Sequence, residues 1–323
     1  MSNSRQMIDF FCHFTPEEYS KALSSKSQGR TGAGSTQPTP LSNDVELRLR
    51  AIDKYEGMKQ VLTMPSSPSD VELAKAANEG MANLVAKYPQ RFVAAAACLP
   101  MHDVDAALRE AQRAIETLKL KGVLIGSPCN EKPLDSPEFL PLYEMMEKYD
   151  LPIWIHPHRS PDTPDYKGES ESKHRIYSGV GWPVETTNAM MRLVLGGVME
   201  KYPSLKIIAH HCGGMVPYYA WRLGGAGGWE EVEGGSGKRD KLSRPREEYF
   251  KSFYTDTAVY TTPALMCGYA FFGAEHLLFG SDFPAGGGEQ RLEVAVNTVE
   301  QMDIPESEKD KIFEGNARRL LHL

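Results

Sequence analysis

The stretch Met7-Ile8-Asp9-Phe10-Phe11-Cys12-His13 lies near the amino terminus and is an apolar run that ends in a histidine. Short apolar runs of this kind form strands that are buried on both faces, so we expect a strand with His13 at its carboxyl end. Because side chains alternate along a strand, Asp9, Phe11 and His13 are predicted to share one face, and Phe10 and Cys12 the other.

Seven further apolar runs follow, and stretches with helical spacing separate most of them. The predicted strands cover residues 60–65, 92–99, 122–126, 152–156, 205–210, 253–257 and 277–280. The predicted helices cover residues 43–55, 69–88, 104–118, 137–149, 184–202, 216–223, 246–252, 263–272, 289–302 and 306–321. Runs that are apolar throughout indicate a parallel sheet covered on both faces.

Eight such units in 323 residues favour a (β/α)8 TIM barrel over an open doubly wound sheet. The first strand is not followed by the Gly-x-Gly-x-x-Gly pattern of dinucleotide-binding folds. We therefore predict an α/β protein with one barrel domain over residues 1–323. Residues 24–40 consist mostly of Ser, Gly, Thr, Gln and Pro, and we expect a flexible insertion or a lid, since this segment follows the strand that carries His13.

The composition excludes several classes of protein. A net charge of −7 argues against a nucleic-acid or anionic-membrane partner, and no apolar run approaches the roughly 18 residues that cross a bilayer. The five cysteines are widely spaced and contain no Cys-x-x-Cys pair, as expected for reduced thiols. With no apolar signal region before residue 7, we expect a cytoplasmic protein.

Ionisable residues gather where the predicted strands end. His13, His156, the pair His210-His211, and Asp282 follow four different strands, and Asp256 lies in a fifth. Active sites of such barrels lie at the carboxyl ends of the strands, so these side chains are predicted to meet in one site. Imidazole and carboxylate suit a divalent metal such as Zn²⁺ or Mn²⁺, and a catalytic site commonly has three protein ligands.

His13, His156 and Asp282 are candidates for those three ligands. His211 would then stand beside the metal as a general acid or base, because a histidine titrates near neutral pH.

Several motifs together resemble the amidohydrolase-2 branch of the amidohydrolase superfamily, which includes aromatic-acid and aminocarboxymuconate-semialdehyde decarboxylases. They are Asp9-x-x-x-His13, Trp154-Ile-His156-Pro157, Ile208-Ala-His-His-Cys-Gly-Gly-Met-Val-Pro217, Leu278-Phe-Gly-Ser-Asp282-Phe-Pro284 and the stretch 181–190. The resemblance implies a metal-dependent, non-oxidative decarboxylase of an unsaturated or aromatic acid. It implies metal ligation by His13, His156 and Asp282, with acid–base roles for His211 and Asp282.

The resemblance also implies that Arg222 binds the substrate carboxylate. In the related decarboxylase an equivalent arginine reaches into the neighbouring subunit, so a homodimer is expected. A guanidinium suits this task because its planar fork binds a carboxylate with two hydrogen bonds. Arg30 is the only candidate for a second substrate-binding arginine in the segment 24–40.

One departure from the family pattern concerns the metal itself. Relatives carry His-x-His in the first strand, and here Phe11 occupies the first of those positions. We therefore expect metal binding that is weaker than in His-x-His relatives, or absent. Two alternatives stay open: a hydrolase of a lactone ring on the same scaffold, and a non-catalytic relative that binds a small acid.

Overall fold

The computed structural model describes residues 5–26, 39–64, 68–224 and 242–323. Their strands are β1 (Met7–His13), β2 (Met58–Thr63), β3 (Phe92–Ala95), β4 (Ala97–Cys98), β5 (Val123–Ser127), β6 (Ile153–Pro157), β7 (Ile207–Ala209), β8 (Tyr254–Asp256) and β9 (Leu277–Leu278).

The helices of the first half are α1 (Glu17–Lys26), α2 (Pro40–Asn43), α3 (Val45–Ile52), α4 (Val71–Lys87), α5 (Val104–Glu116) and α6 (Leu140–Tyr149). Those of the second half are α7 (Ile176–Gly179), α8 (Gly181–Leu195), α9 (Val198–Lys201), the single turn α10 (His210–Gly213), α11 (Ala220–Gly224), α12 (Arg246–Lys251), α13 (Thr262–Phe272), α14 (Glu289–Glu300), α15 (Glu306–Asp310) and α16 (Asn316–Leu321). In the described part of the chain, no helix is long and apolar enough to span a membrane.

The strands form a closed parallel barrel. They pair in chain order from β1 to β3 and from β4 to β9, and every pair is parallel. Only Ala96 separates β3 from β4, so these two segments act as one barrel strand. The barrel closes where Phe10 N–H donates to the Phe279 carbonyl at 2.7 Å and His13 N–H to the Phe283 carbonyl at 2.7 Å. The predicted (β/α)8 fold is confirmed.

The first strand does not alternate as predicted. Its pairing with β2 shifts register between Asp9 and Cys12, and this irregularity turns two consecutive residues to the same side. Phe10 stacks on Trp154 of β6 at 5.0 Å between ring centroids, and Phe11 stacks on His210 beyond β7 at 3.5 Å. Both partners lie across the barrel, so Phe10 and Phe11 both point inward. The expectation that they face opposite sides was wrong.

The side chains inside the barrel form one apolar cluster, and the layer between the strands and the helices forms another. Most strands contribute one side chain to it, among them Ile8, Val61, Leu124, Trp154 and Ile208. Residues at the carboxyl-terminal ends of the strands lie beyond this plug and are polar. The apolar plug therefore supports the site from below without reaching it.

One helix prediction was wrong in its limits, and one helix was missed. The helix predicted over 184–202 begins at Gly181 and breaks at Gly196 and Gly197, where Gly197 has a φ of +79° that ends α8 and starts α9. Helix α1 was not predicted, because most of its residues are polar and none of them is buried. Residues 24–26 belong to that helix, whereas residues 27–38, including Arg30, lie outside the described residues, and the lid stays a prediction.

Candidate active site

His13 and Asp282 face each other across the closing seam of the barrel. His13 Nε2 lies 3.1 Å from Asp282 Oδ1, and its Nδ1 lies 3.0 Å from Thr63 Oγ1. The Thr63 hydroxyl donates its proton to the Cys12 carbonyl at 2.8 Å, so Thr63 Oγ1 accepts from His13 Nδ1–H. In the neutral ring, the Nε2 lone pair then points at a carboxylate oxygen. Two acceptors at this distance require a cation between them, either a proton or a metal ion.

The same distance fits a metal site. Two ligand atoms that each lie about 2.1 Å from one metal, at right angles or somewhat wider, are separated by about 3.0 to 3.4 Å. The His13–Asp282 distance of 3.1 Å falls in this interval. The spacing of the pair is therefore compatible with one edge of a coordination polyhedron.

The second oxygen of Asp282 is held by residues that the sequence did not reveal. Arg291 Nη1 donates to Oδ2 at 2.6 Å, and the Tyr260 hydroxyl lies 3.4 Å from the same oxygen. Burial would raise the pKa of Asp282, but the His13 hydrogen bond and the charges of His13, His211 and Arg291 together lower it to about 2. Asp282 is therefore an anion with both oxygens engaged.

His156 presents one free ring nitrogen. Its Nδ1 donates to the Pro157 carbonyl at 2.8 Å, which leaves Nε2 as the acceptor. Burial, and then the neighbouring histidines, hold the pKa of His156 well below its usual range, so the ring is neutral, as a metal ligand must be. Its centroid lies 5.2 Å from that of His13, close to the roughly 5.3 Å expected for two imidazoles that bind one metal tetrahedrally.

Phe11 occupies the middle of this group and is fully buried. Its ring lies 4.8 Å from that of His13 in an edge contact, 6.0 Å from His156, and stacks on His210. Phe11 therefore forms an apolar wall inside this group of histidines.

His210 and His211 are organised by one carboxylate. Asp256 Oδ2 accepts from His210 Nδ1 at 2.9 Å and from the His211 backbone N–H at 3.1 Å. Oδ1 accepts from the Cys212 backbone N–H at 3.2 Å, and these bonds hold the left-handed backbone of His211, whose φ is +56°. His211 is half-buried, stands parallel to the Trp182 ring with centroids 6.1 Å apart, and has a buried Nδ1 without a hydrogen-bond partner.

The structure thus brings His13, His156, Asp282 and His211 together around Phe11, as predicted from their positions at the ends of the strands. Among the described residues, no three His, Cys, Asp or Glu side chains already stand in a metal-binding arrangement, so these side chains would have to move to bind a metal together. Arg222 lies on α11 with an exposed side chain. Arg291, Tyr260 and Thr63 were missed, since their roles depend on contacts between distant segments that no local pattern signals.

The comparisons with known proteins agree with this geometry. The family model described as Amidohydrolase matches residues 47–323, and the chain belongs to that family. Gamma-resorcylate decarboxylase of Rhizobium sp. (strain MTP-10005) is 31% identical over 279 residues, which cover 81% of this chain and 80% of that protein.

Two solved structures are similar over nearly the whole chain. That of 5-carboxyvanillate decarboxylase from Sphingomonas paucimobilis is 28% identical with a TM-score of 0.84, covering 99% of this chain and 100% of the other. That of a dihydroxybenzoic acid decarboxylase from Polaromonas sp. JS666, with bound manganese and the inhibitor 2-nitroresorcinol, is 27% identical with a TM-score of 0.76, covering 99% and 97%. The predicted kinship with aromatic-acid decarboxylases, which are carbon–carbon lyases, is confirmed.

Proposed function

We propose that this protein is a non-oxidative decarboxylase of an aromatic carboxylic acid and depends on one divalent metal ion. The observation that carries the proposal is the 3.1 Å distance between His13 Nε2 and the Asp282 carboxylate, with the neutral His156 ring beside them. The family relationship supports the reaction, and the manganese in a related structure supports Mn²⁺ over the Zn²⁺ that the sequence equally allowed.

His13, His156 and Asp282 would hold the metal, which when bound supplies Lewis-acid stabilisation of substrate oxygens and fixes the substrate's orientation. Neighbouring groups would fix the orientation of these three side chains before the metal binds. Thr63 and the Pro157 carbonyl fix the two histidine tautomers, and Arg291 holds the carboxylate of Asp282.

His211 is the better proton donor of the two candidate acids. Both oxygens of Asp282 are engaged by His13 and Arg291, whereas Nδ1 of His211 is buried without a partner. A protonated His211 would transfer its proton to the ring carbon that bears the carboxylate. The bond from that carbon to the carboxylate then breaks, its electron pair returns to the ring, and CO2 leaves as the ring becomes aromatic again.

The apolar walls favour this reaction. Loss of CO2 removes the carboxylate charge, so an apolar surface near the carboxylate destabilises the charged substrate more than the neutral product. Phe11 is fully buried against His210, and the Trp182 ring faces His211, so both supply such surface.

We further propose a homodimer in which Arg222 contributes to the partner's site. Tyr218 and Trp221, four residues and one residue before Arg222 in the sequence, are 77% and 67% exposed. Large exposed aromatic side chains beside an arginine are typical of protein interfaces.

The activity is tested by CO2 release from a panel of hydroxybenzoates, including 2,6-dihydroxybenzoate and 5-carboxyvanillate, with Mn²⁺-loaded protein. We expect turnover by the wild type and none by His156→Ala. His102→Ala is the control and should stay active, because His102 is exposed in the wild type. No CO2 from any acid would contradict the proposal. Solvent ¹⁸O in a ring-opened product would indicate the lactone hydrolase, and binding without turnover the non-catalytic relative.

The shared site is tested by mixing two inactive variants, His211→Ala and Arg222→Met. In a mixed dimer, one site has His211 from one subunit and Arg222 from the other, so random pairing restores about a quarter of wild-type activity. No recovery, with dimers confirmed by light scattering, would show that Arg222 does not act across the subunits.

A further inference from the structure

One ring nitrogen of His210 is buried and has no hydrogen-bond partner in the structure. The side chain is fully buried, and Nδ1 is hydrogen-bonded to Asp256 Oδ2 at 2.9 Å. Nε2 is equally buried, yet it has no hydrogen-bond partner. A polar atom in this state costs free energy unless something binds it, and native proteins rarely leave one without a purpose.

The pairing with Asp256 fixes which nitrogen is available. An ionised carboxylate accepts the proton of Nδ1, so the lone pair lies on Nε2. A carboxylate behind an imidazole is the usual support for a metal-binding histidine, since it orients the ring and makes the free nitrogen more basic.

The position of His210 matches that of a ligand. Its centroid lies 5.7 Å from that of His156, and the His13–His156 distance is 5.2 Å. Two imidazoles that share one metal tetrahedrally are expected at about 5.3 Å, so the His13–His156 distance matches this value and the His156–His210 distance is slightly longer. His210 also lies directly against Phe11, the residue that replaces a histidine of the His-x-His pattern.

We propose that His210 is a further metal ligand of this protein and takes over the coordination that Phe11 cannot supply. A ligand that the resemblance places on β1 would instead come from the end of β7. Asp256 is then the positioning residue of that ligand, and Phe11 packs against the ring and fixes its plane. The inference rests on the proposed metal dependence and adds a residue to the ligand set.

The number of histidines on the metal tests this directly in the unaltered protein. Metal-free wild type is loaded with one equivalent of Mn²⁺, and pulsed EPR counts the coordinated imidazole nitrogens. We expect three histidines: His13, His156 and His210. Two would overturn the inference, and an absence of bound Mn²⁺ would instead overturn the proposed metal dependence, so the two failures are distinguishable.

A pair of matched substitutions provides an independent test by Mn²⁺ titration. His210→Phe keeps a flat ring on Phe11 but removes the donor nitrogen, and we expect the dissociation constant to rise about tenfold or more. His276→Phe is the control, because His276 also stacks on an aromatic ring, that of Tyr254, with centroids 4.7 Å apart. Phe11→His in the His210→Phe background should restore tight binding. Unchanged affinity in folded His210→Phe would overturn the inference.

Discussion

Replacing the buried Arg48 by methionine should destabilise the fold and the site together. Arg48 is fully buried; its Nε donates to Gln60 Oε1 at 2.8 Å, and Nη1 donates to the His13 carbonyl at 3.1 Å and the Phe283 carbonyl at 3.5 Å. The two carbonyls belong to a proposed ligand and to the neighbour of Asp282. Arg48 is therefore the link between the two ends of the barrel seam.

The expected loss in the free energy of unfolding comes from the hydrogen bonds and the buried charge that the substitution removes. Arg48→Met removes the side-chain donor from three buried acceptors, of which the Phe283 carbonyl keeps the His13 N–H. Each acceptor left unpaired costs about 1 kcal/mol or more, and the cation that favours ionised Asp9 is lost as well. We expect a loss of about 3 to 5 kcal/mol, the usual cost of breaking a buried charge network. Against a total stability of about 5 to 15 kcal/mol, the variant keeps about 0 to 12 kcal/mol.

Urea unfolding of the metal-free protein, followed by circular dichroism, measures this loss. Arg192→Met is the matched control, since Arg192 pairs with Asp135 at the surface with 56% of its side chain exposed, and we expect a change below about 1 kcal/mol. A urea midpoint for Arg48→Met that shifts no more than that of Arg192→Met would show that buried Arg48 does not stabilise the fold in this way. The Mn²⁺ affinity of the variant should also fall by about tenfold.

Two further predictions concern other parts of the molecule. Trp182→Ala should lower kcat/KM by about three- to tenfold, because the aromatic ring that faces His211 is lost, and the Mn²⁺ affinity should stay unchanged. Trp182→Phe is the control and should retain most of the activity. An equal loss of kcat/KM in both variants would contradict this prediction. Native protein treated with iodoacetamide should gain one adduct by mass spectrometry, at the half-buried Cys267, because the other four cysteines are buried and burial raises the pKa of thiols such as Cys98 to about 12. Rapid modification of all five would contradict the buried placement.

The barrel could be predicted because its signal is local. Each strand is a short apolar run with an ionisable residue at its end, and eight repeats of that pattern define the fold and place His13, His156, His211 and Asp282 at one mouth. The break of α8 at Gly196 and Gly197 also had a local signal, which the apolar spacing on both sides concealed.

The remaining features depend on contacts between distant segments. The register shift in β1 could not be foreseen, because Phe10 and Phe11 are equally apolar and either could face inward. Arg291 reaches Asp282 only through the packing of α14 on the barrel. The sequence distinguished His211 by its glycine-rich turn, whereas the burial of His210 against Phe11 appears only in three dimensions.

The proposed metal site is tested most directly by an anomalous-scattering map from crystals grown with Mn²⁺. We predict one strong peak per chain, within about 2.0 to 2.3 Å of His13 Nε2, His156 Nε2 and an oxygen of Asp282. No peak at these three side chains, in protein that nevertheless releases CO2 from an aromatic acid, would contradict the account.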